Sequence, residues 1–351
     1  MPQVAICVEG LGVAPASATV PLMATAAQQA MGLAQAGRAA EGLALLRQAQ
    51  TSGDAAAFLL EGLWLLEGRF LPRDFSAARA SLGSAAELGH VGAARTLAGL
   101  IACGIGGPAD WPAALAFLQA WSDRDPVAAR QLELIGRMDI DAHGKPAREF
   151  ARTPIMAEPR IQRIEALLTV DECAFLIELA DPRMRRATIF HDTEQRFVED
   201  PIRRSDKAGF PIVSEWPFVR AINLRIAAAT ATDIDCGEPL QVLRYGPNQE
   251  YRPHFDAISG MDNPRVLTAL TWLNDDYSGG ETYFDKLGLS ERGGAGDMLL
   301  FANTLADGSP DERSRHAGAP VRSGVKYMAS RWIRARPADE QGFGRHEIER
   351  A

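Results

Sequence analysis

A period of 36 residues runs through the first half of this chain, and it restricts the fold more than any other feature. Shifting the sequence forward by 36 superposes Gly68 on Gly104, Pro72 on Pro108, Asp74 on Asp110 and Phe75 on Trp111. The same shift carries Ala77, Ala78, Ala80 and Leu82 onto Ala113, Ala114, Ala116 and Leu118, and Gly53 onto Gly89. Between these markers, stretches such as SAARASLGSAAELG and PAALAFLQAW set small and apolar residues at helical spacing. The unit is therefore a helix pair. One pair cannot hide its own apolar stripe, so such units stack, with about three as a practical minimum. Residues 25–137 hold about that many. A stack of this kind suits docking of a protein or peptide, and it would equally serve as a scaffold that only packs on its neighbour.

At 351 residues the chain exceeds what one core usually organises, so a second domain is expected. The period fades near Arg137, and DAHGKPAREFARTPIMAEPR brings prolines, a glycine and mixed charge, the texture of a linker over 138–159. Residues 1–24 and the tail 337–351 carry no legible role. A net charge of −8 offers no long-range attraction to phosphate backbones or anionic lipid, so neither nucleic acid nor a membrane surface is an expected partner. No apolar run approaches the roughly 20 residues needed to cross a bilayer. Cys7, Cys103, Cys173 and Cys236 stand far apart without a CxxC pair, which reads as free thiols in a reducing compartment. The first basic side chain is Arg38, so the pattern of a secretory signal is missing and a cytoplasmic location is expected.

The second domain, 160–336, opens with IQRIEALLTVDECAFLIELA, where Thr169 and Glu172 have capping-box spacing ahead of an apolar helix. Another helix follows Ser214, with Trp216, Phe218, Val219, Ile222 and Ile226 on one stripe. Beyond Glu238 come short runs of strand character, LQVLRY, VLTALTWL, ETYF, DMLLFA and KYMASRWI, separated by turn residues. Many short strands with polar turns predict a sandwich or barrel, with the two helices covering one sheet.

Chemistry concentrates in EYRPHFDA. On an extended backbone His254 and Asp256, two apart, point to the same side and can reach one ion together. A second histidine, His316, lies in DERSRHAG just after the run DMLLFA. Two imidazoles and one carboxylate leave coordination positions free, the arrangement expected of non-haem iron oxygenases. Open positions need a co-substrate. Lys326 lies ten residues past His316, across the turn GAPVRSG, and a lysine deep in a β cavity is costly unless an anion meets it. The distal carboxylate of 2-oxoglutarate would be that anion, with the hydroxyls of Tyr245 and Thr282 as further donors.

From Gln162 to Ile333 the text LQVLRYGPNQEYRPHFDA, RVLTALTWLNDDYSGGETYF, GGAGDMLLFAN, DGSPDERSRHAG and GVKYMASRWI resembles the prolyl 4-hydroxylase branch of the iron(II) and 2-oxoglutarate dependent dioxygenases. The resemblance implies a double-stranded β-helix, or jelly roll, with iron(II) on His254, Asp256 and His316 and with 2-oxoglutarate on Lys326, Tyr245 and Thr282. It also implies ascorbate as the reductant that rescues oxidised iron. Thr271 falls where related enzymes often carry a larger side chain that bounds the co-substrate, which implies a wider pocket here. Arg265 falls where the family has a substrate-contacting arginine, and Arg203 lies in HDTEQRFVEDPIRRSDKAG, which resembles a loop closing over the substrate. Asp256 is the carboxylate that halogenating relatives lack, so hydroxylation is implied. The N-terminal repeats are similar to the Sel1-like branch of the tetratricopeptide repeats. The expected whole is an all-α helical-repeat solenoid followed by a jelly roll with flanking helices, hydroxylating a prolyl or other residue of a protein that the repeats help to recruit. A free amino acid or small metabolite is the alternative substrate, and a non-catalytic repeat adaptor the alternative of a different class.

Overall fold

The computed structural model describes residues 24–191, 196–199, 202–257 and 260–337, and every structural statement here concerns these residues. Segment 1–23, residues 338–351 and parts of the HDTEQRFVED stretch, with the roles expected for them, lie outside that set. The chain divides into two compact units. One is helical, ends its first part at Gly144 and takes in Pro211–Ala221; the other holds Lys145–Phe210 and continues from Ile222.

The helical unit contains α1 (Ala26–Gln35), α2 (Ala39–Thr51), α3 (Ala55–Glu67), α4 (Phe75–Glu87), α5 (Val91–Cys103), α6 (Trp111–Trp121) and α7 (Pro126–Ile135). Helices α2, α4 and α6 begin at Ala39, Phe75 and Trp111, each 36 residues after the last, and α3 and α5 begin at Ala55 and Val91 with the same step. The repeat is thus made of the pairs α2/α3, α4/α5 and α6/α7, with α1 ahead of them. Its markers are helix caps. Asp74 and Asp110 each accept the backbone N–H three residues on, at 2.9 Å, while Gly68 and Gly104 close α3 and α5 at φ 65° and 74°, where a side chain would be strained. Leu59 and Leu66 of α3, Leu82 of α4, and Leu97 and Leu100 of α5 meet in one core cluster, which carries the stack from pair to pair.

Segment Pro211–Ala221 folds with these helices. Thr96 Oγ1 donates to the carbonyl of Val213 (3.0 Å), and the N–H of Phe218 donates to Gln131 Oε1 (3.3 Å). Arg95 places its guanidinium 4.8 Å from the ring centre of Trp216 while pairing with Asp125, the cap of α7, at 3.0 Å. At Gly99 a Cβ would fall 2.7 Å from the carbonyl oxygen of Glu215, so the approach requires glycine. This corrects the expectation that Trp216, Phe218, Val219, Ile222 and Ile226 form one stripe for the β domain. The stripe is buried, but its first half is buried in the repeats.

The second unit is built on α8 (Val170–Ala180), on the later part of α9 (Pro217–Thr230) and on sixteen strands. The first eight are β1 (Thr153–Met156), β2 (Ile161–Ile164), β3 (Arg185–Arg186), β4 (Thr188–His191), β5 (Arg196–Glu199), β6 (Asp206–Phe210), β7 (Leu240–Tyr245) and β8 (Tyr251–His254). The rest are β9 (Arg265–Trp272), β10 (Ser278–Gly279), β11 (Thr282–Phe284), β12 (Leu289–Glu291), β13 (Met298–Ala302), β14 (His316–Gly318), β15 (Val321–Ser323) and β16 (Lys326–Arg334). An antiparallel sheet in the order β1-β2-β13-β9-β16-β7-β6-β3 faces a smaller one, β12-β11-β14-β8, which is the expected jelly roll. Ile161, Leu270, Trp272, Leu299, Phe301 and Met328 from the large sheet meet Phe284 of the small one in the core between them. Strand β1 lies inside the segment read as linker. It is the edge of its sheet, where Pro154 forfeits no bond that an interior strand would need. The capping box of α8 forms as expected, and the same Glu172 carboxylate takes a two-pronged ion pair from Arg225 of α9 at 2.7 and 3.0 Å.

Candidate active site

His254 closes β8, His316 opens β14, and the antiparallel register sets them opposite one another. Their ring centres are 4.3 Å apart. Asp256, two residues on, turns its carboxylate to the same side, with Oδ1 3.6 Å from His254 Nε2 and Oδ2 3.6 Å from His316 Nε2. One ligand atom from each of the three lies within 4.8 Å of the others, a spacing that a single ion could bridge. Backbone carbonyls orient both rings. Nδ1 of His254 is 2.8 Å from the oxygen of Arg252 and Nδ1 of His316 is 3.0 Å from that of Ser314, so Nδ1 donates and Nε2 turns a lone pair inward.

Burial pushes the His316 imidazolium down to about 4, which leaves that ring neutral in the physiological range. Burial alone would raise the Asp256 carboxyl, but the His316 and His254 rings and the Thr268 hydroxyl outweigh it and hold the group well below the usual carboxylate range. The donor set is therefore two inward-turned Nε2 atoms and a carboxylate oxygen, all from one side. That composition fits iron(II) with positions left over for other ligands.

The cluster borders a partly open pocket whose walls come from both sheets. Strand β16 lines it with Lys326, Met328, Ser330 and Trp332, every second residue, and β7 adds Leu243 and Tyr245. Lys326 and Tyr245 are register partners, and Thr282 of β11 faces the same space. Nζ of Lys326 donates to the carbonyl of Gly280 (2.6 Å), and among the described residues no carboxylate pairs with it. Burial accordingly pushes its ammonium down to about 7. Burial likewise keeps the Tyr245 hydroxyl above its ordinary value, hence neutral and able to donate. A buried cation without a counter-ion, next to two hydroxyls, is a receptor for a carboxylate.

Three other expected residues are placed differently from one another. Arg203 lines the cavity, 5.2 Å from the ring centre of Tyr251. Thr271 does not line it: its strand neighbour Leu270 does, and alternation turns Thr271 to the opposite face, so it cannot bound the co-substrate. Arg265 is also absent from the lining. Its guanidinium forms a two-pronged pair with Glu238 (2.6 and 2.8 Å) and lies 3.8 Å from the ring centre of Trp332, so it reaches the cavity through that ring. Glu238 is shared, since Arg334 Nε also donates to it at 2.7 Å. Sequence reasoning missed Tyr251, whose ring stacks on His254 at 3.4 Å between centres, and Trp332, whose indole N–H is buried without a hydrogen-bond partner among the described residues. Counting by twos from Lys326 would have found Trp332.

The sequence profile of the 2OG-Fe(II) oxygenase superfamily matches residues 240–334. Prolyl 4-hydroxylase 1 of Arabidopsis thaliana is 35% identical over 195 residues, which cover 50% of this chain and 69% of that protein. Prolyl 4-hydroxylase subunit alpha-1 of Rattus norvegicus is 33% identical over 189 residues, 51% of this chain but 35% of the subunit. Among solved structures, a viral collagen prolyl hydroxylase from Paramecium Bursaria Chlorella virus-1 is 26% identical, covering 50% of this chain and 96% of that one, with a TM-score of 0.40. A Sel1 repeat protein from Oxalobacter formigenes is 32% identical over 31% of this chain and 33% of its own, with a TM-score of 0.27.

Proposed function

We propose that this chain, which belongs to the 2OG-Fe(II) oxygenase superfamily, hydroxylates an unactivated C–H bond of a residue in a protein or peptide, a prolyl residue first. The observation that carries the reading is Lys326: a buried ammonium without a carboxylate partner, in the same cavity as His254, Asp256 and His316. In this reading Nε2 of both histidines and one oxygen of Asp256 hold iron(II), while Lys326, Thr282 and Tyr245 take the distal carboxylate of 2-oxoglutarate. The bound iron supplies activation of dioxygen, so that 2-oxoglutarate, O2 and a C–H bond become succinate, carbon dioxide and a C–OH bond. The protein's part is to leave metal positions open, fix the co-substrate at its far end and keep water off the reacting atoms. Ascorbate would return iron to the divalent state after turnovers without substrate.

Two observations favour a ring-bearing substrate residue. Tyr251 and Trp332 both line the cavity, and the indole N–H of Trp332 has no hydrogen-bond partner among the described residues. The names of the relatives, prolyl 4-hydroxylases, point the same way. The test is to supply the full chain with iron(II), 2-oxoglutarate, ascorbate and a proline-rich peptide, and to follow succinate release and the gain of one oxygen atom on the peptide. Peptide-stimulated succinate that disappears in His254→Ala is expected. Equal stimulation by free proline would overturn the peptide reading, and undiminished turnover in His254→Ala would overturn the ligand assignment.

A further inference from the structure

The carboxylate of Asp256 does not stand alone. Its Oδ2 accepts a hydrogen bond from Thr268 Oγ1 at 2.6 Å, and Thr268 Oγ1 in turn accepts from Asn303 Nδ2 at 2.8 Å. Thr268 and Asn303 are both 0% exposed. The direction of this chain follows from elementary hydrogen-bond accounting. A threonine hydroxyl has one proton; if the Asn303 amide donates to it, that proton is free for the carboxylate, which can only accept. Were the amide turned round, the hydroxyl would donate to the amide oxygen and present a lone pair to an anion 2.6 Å away. Only the first order gives the carboxylate a proton to accept, and it leaves Asn303 Oδ1 buried without a partner among the described residues.

Asn303 is itself held on both sides. It follows β13, its N–H donates to the carbonyl of Val266 (2.9 Å), and its carbonyl accepts from the N–H of Asp311 (3.0 Å), whose own carbonyl accepts from Ser314 Oγ (2.7 Å). The carbonyl of Ser314 is the group that orients the His316 ring. One buried asparagine therefore touches the supports of two candidate ligands, Asp256 through its side chain and the His316 turn through its backbone. We propose that Thr268 and Asn303 form a positioning pair that holds the Asp256 carboxylate in one rotation, with Oδ2 engaged by the hydroxyl and Oδ1 left to bind the metal. The pair thereby sets the affinity for the divalent ion and keeps the carboxylate from spanning a second metal position. The inference rests on the reading of Asp256 as a ligand. Neither residue lines the cavity, so neither touches co-substrate or substrate.

The test uses the full chain and Co2+ as a spectroscopic probe. Affinity is measured by calorimetry, coordination by the visible absorption of bound Co2+, and folding by melting of the metal-free protein. Thr268→Val removes the hydroxyl at nearly constant shape and is expected to weaken Co2+ by about 10- to 100-fold, with an altered spectrum. Thr268→Ser keeps the hydroxyl and is expected to bind like the native chain. Asn303→Leu, which frees the threonine proton to rotate away, is expected to show a smaller loss of the same kind. Native affinity and spectrum in Thr268→Val would overturn the pair, provided Asp256→Ala loses the ion; retention of Co2+ by Asp256→Ala would instead overturn the ligand assignment beneath it. Should Thr268→Val lose metal only together with its fold, Asn303→Leu and Thr268→Ser decide the matter. A native spectrum in the first, or failure of the second to restore binding, would then overturn the proposal.

Discussion

Lys326 gives the site a pH signature that can be worked out in advance. Burial places its ammonium at about 7, far below an ordinary lysine, and a dicarboxylate arriving beside Nζ supplies the missing counter-ion. Binding of 2-oxoglutarate is thus coupled to protonation. Below pH 7 the lysine is already charged and affinity should be flat. Above pH 7 each molecule bound must bring a proton with it, and the apparent Kd should rise about tenfold per pH unit until the pKa of the occupied lysine is reached. At pH 8.5 about one lysine in thirty carries its charge, which weakens binding about thirty-fold, or by about 2 kcal/mol. For folding the sign is reversed. Since the folded pKa lies below that of the unfolded chain, about 10.4, the unfolded state binds more protons between the two values, and the lysine's contribution to stability should improve as pH rises through that window. Calorimetric titration of 2-oxoglutarate into the Mn2+-loaded protein, in two buffers of different ionisation heat, reads both the affinity and the proton uptake. Uptake should climb from near zero at about pH 6 to about one proton per molecule at about pH 8.5. An affinity that stays constant from about pH 6.5 to about pH 8.5 without proton uptake would refute the coupling and, with it, the placing of the distal carboxylate on Nζ.

Two further outcomes test the framework around the site. Gly99→Ala puts a Cβ 2.7 Å from the Glu215 carbonyl, and the resulting shift should cost about 1–3 kcal/mol, seen as a lower melting temperature; an unchanged melt would mean that Pro211–Ala221 is not held against α5. Arg225→Leu strands the buried Glu172 carboxylate and should cost about 3–5 kcal/mol in chemical denaturation, with part of the loss recovered when Glu172→Gln is added; a neutral single substitution would show that the pair contributes little to the fold.

How far the sequence reaches depends on whether a feature is local. The 36-residue period was legible because each repeat must solve the same two local problems, an acceptor such as Asp74 or Asp110 for orphan N–H groups and a glycine such as Gly68 or Gly104 for a left-handed exit. His254 and Asp256 were legible because a strand's period of two puts them on one side. His316 could be chosen by its chemistry, but its position opposite His254 is a matter of register between β8 and β14, which no nearby residue encodes. Parity explains the failures too. Thr271 and Leu270 are equally plausible neighbours of a pocket until the facing of β9 is known, and Arg265 looks available for a substrate until Glu238, 27 residues earlier, is seen to occupy it.

The stripe from Trp216 to Ile226 carries the widest consequence of this kind. Amphipathic spacing states that a face is buried and is silent on what buries it. Here Thr96 and Gly99 of α5 and Gln131 of α7 are committed to the backbone of Pro211–Ala221, so this face of the repeats is already filled by the chain itself. Any protein substrate recruited by the repeats must use another face. Removing residues 1–144 would therefore not be a clean test of recruitment, because it would also strip Trp216 and Phe218 of the groups that cover them. Loss of activity after such a deletion would follow from either cause. Charge reversals at exposed positions such as Arg38, Glu41 and Arg137 leave that packing intact, and a rise in KM for a protein substrate with unchanged turnover of a short peptide would then isolate recruitment from folding.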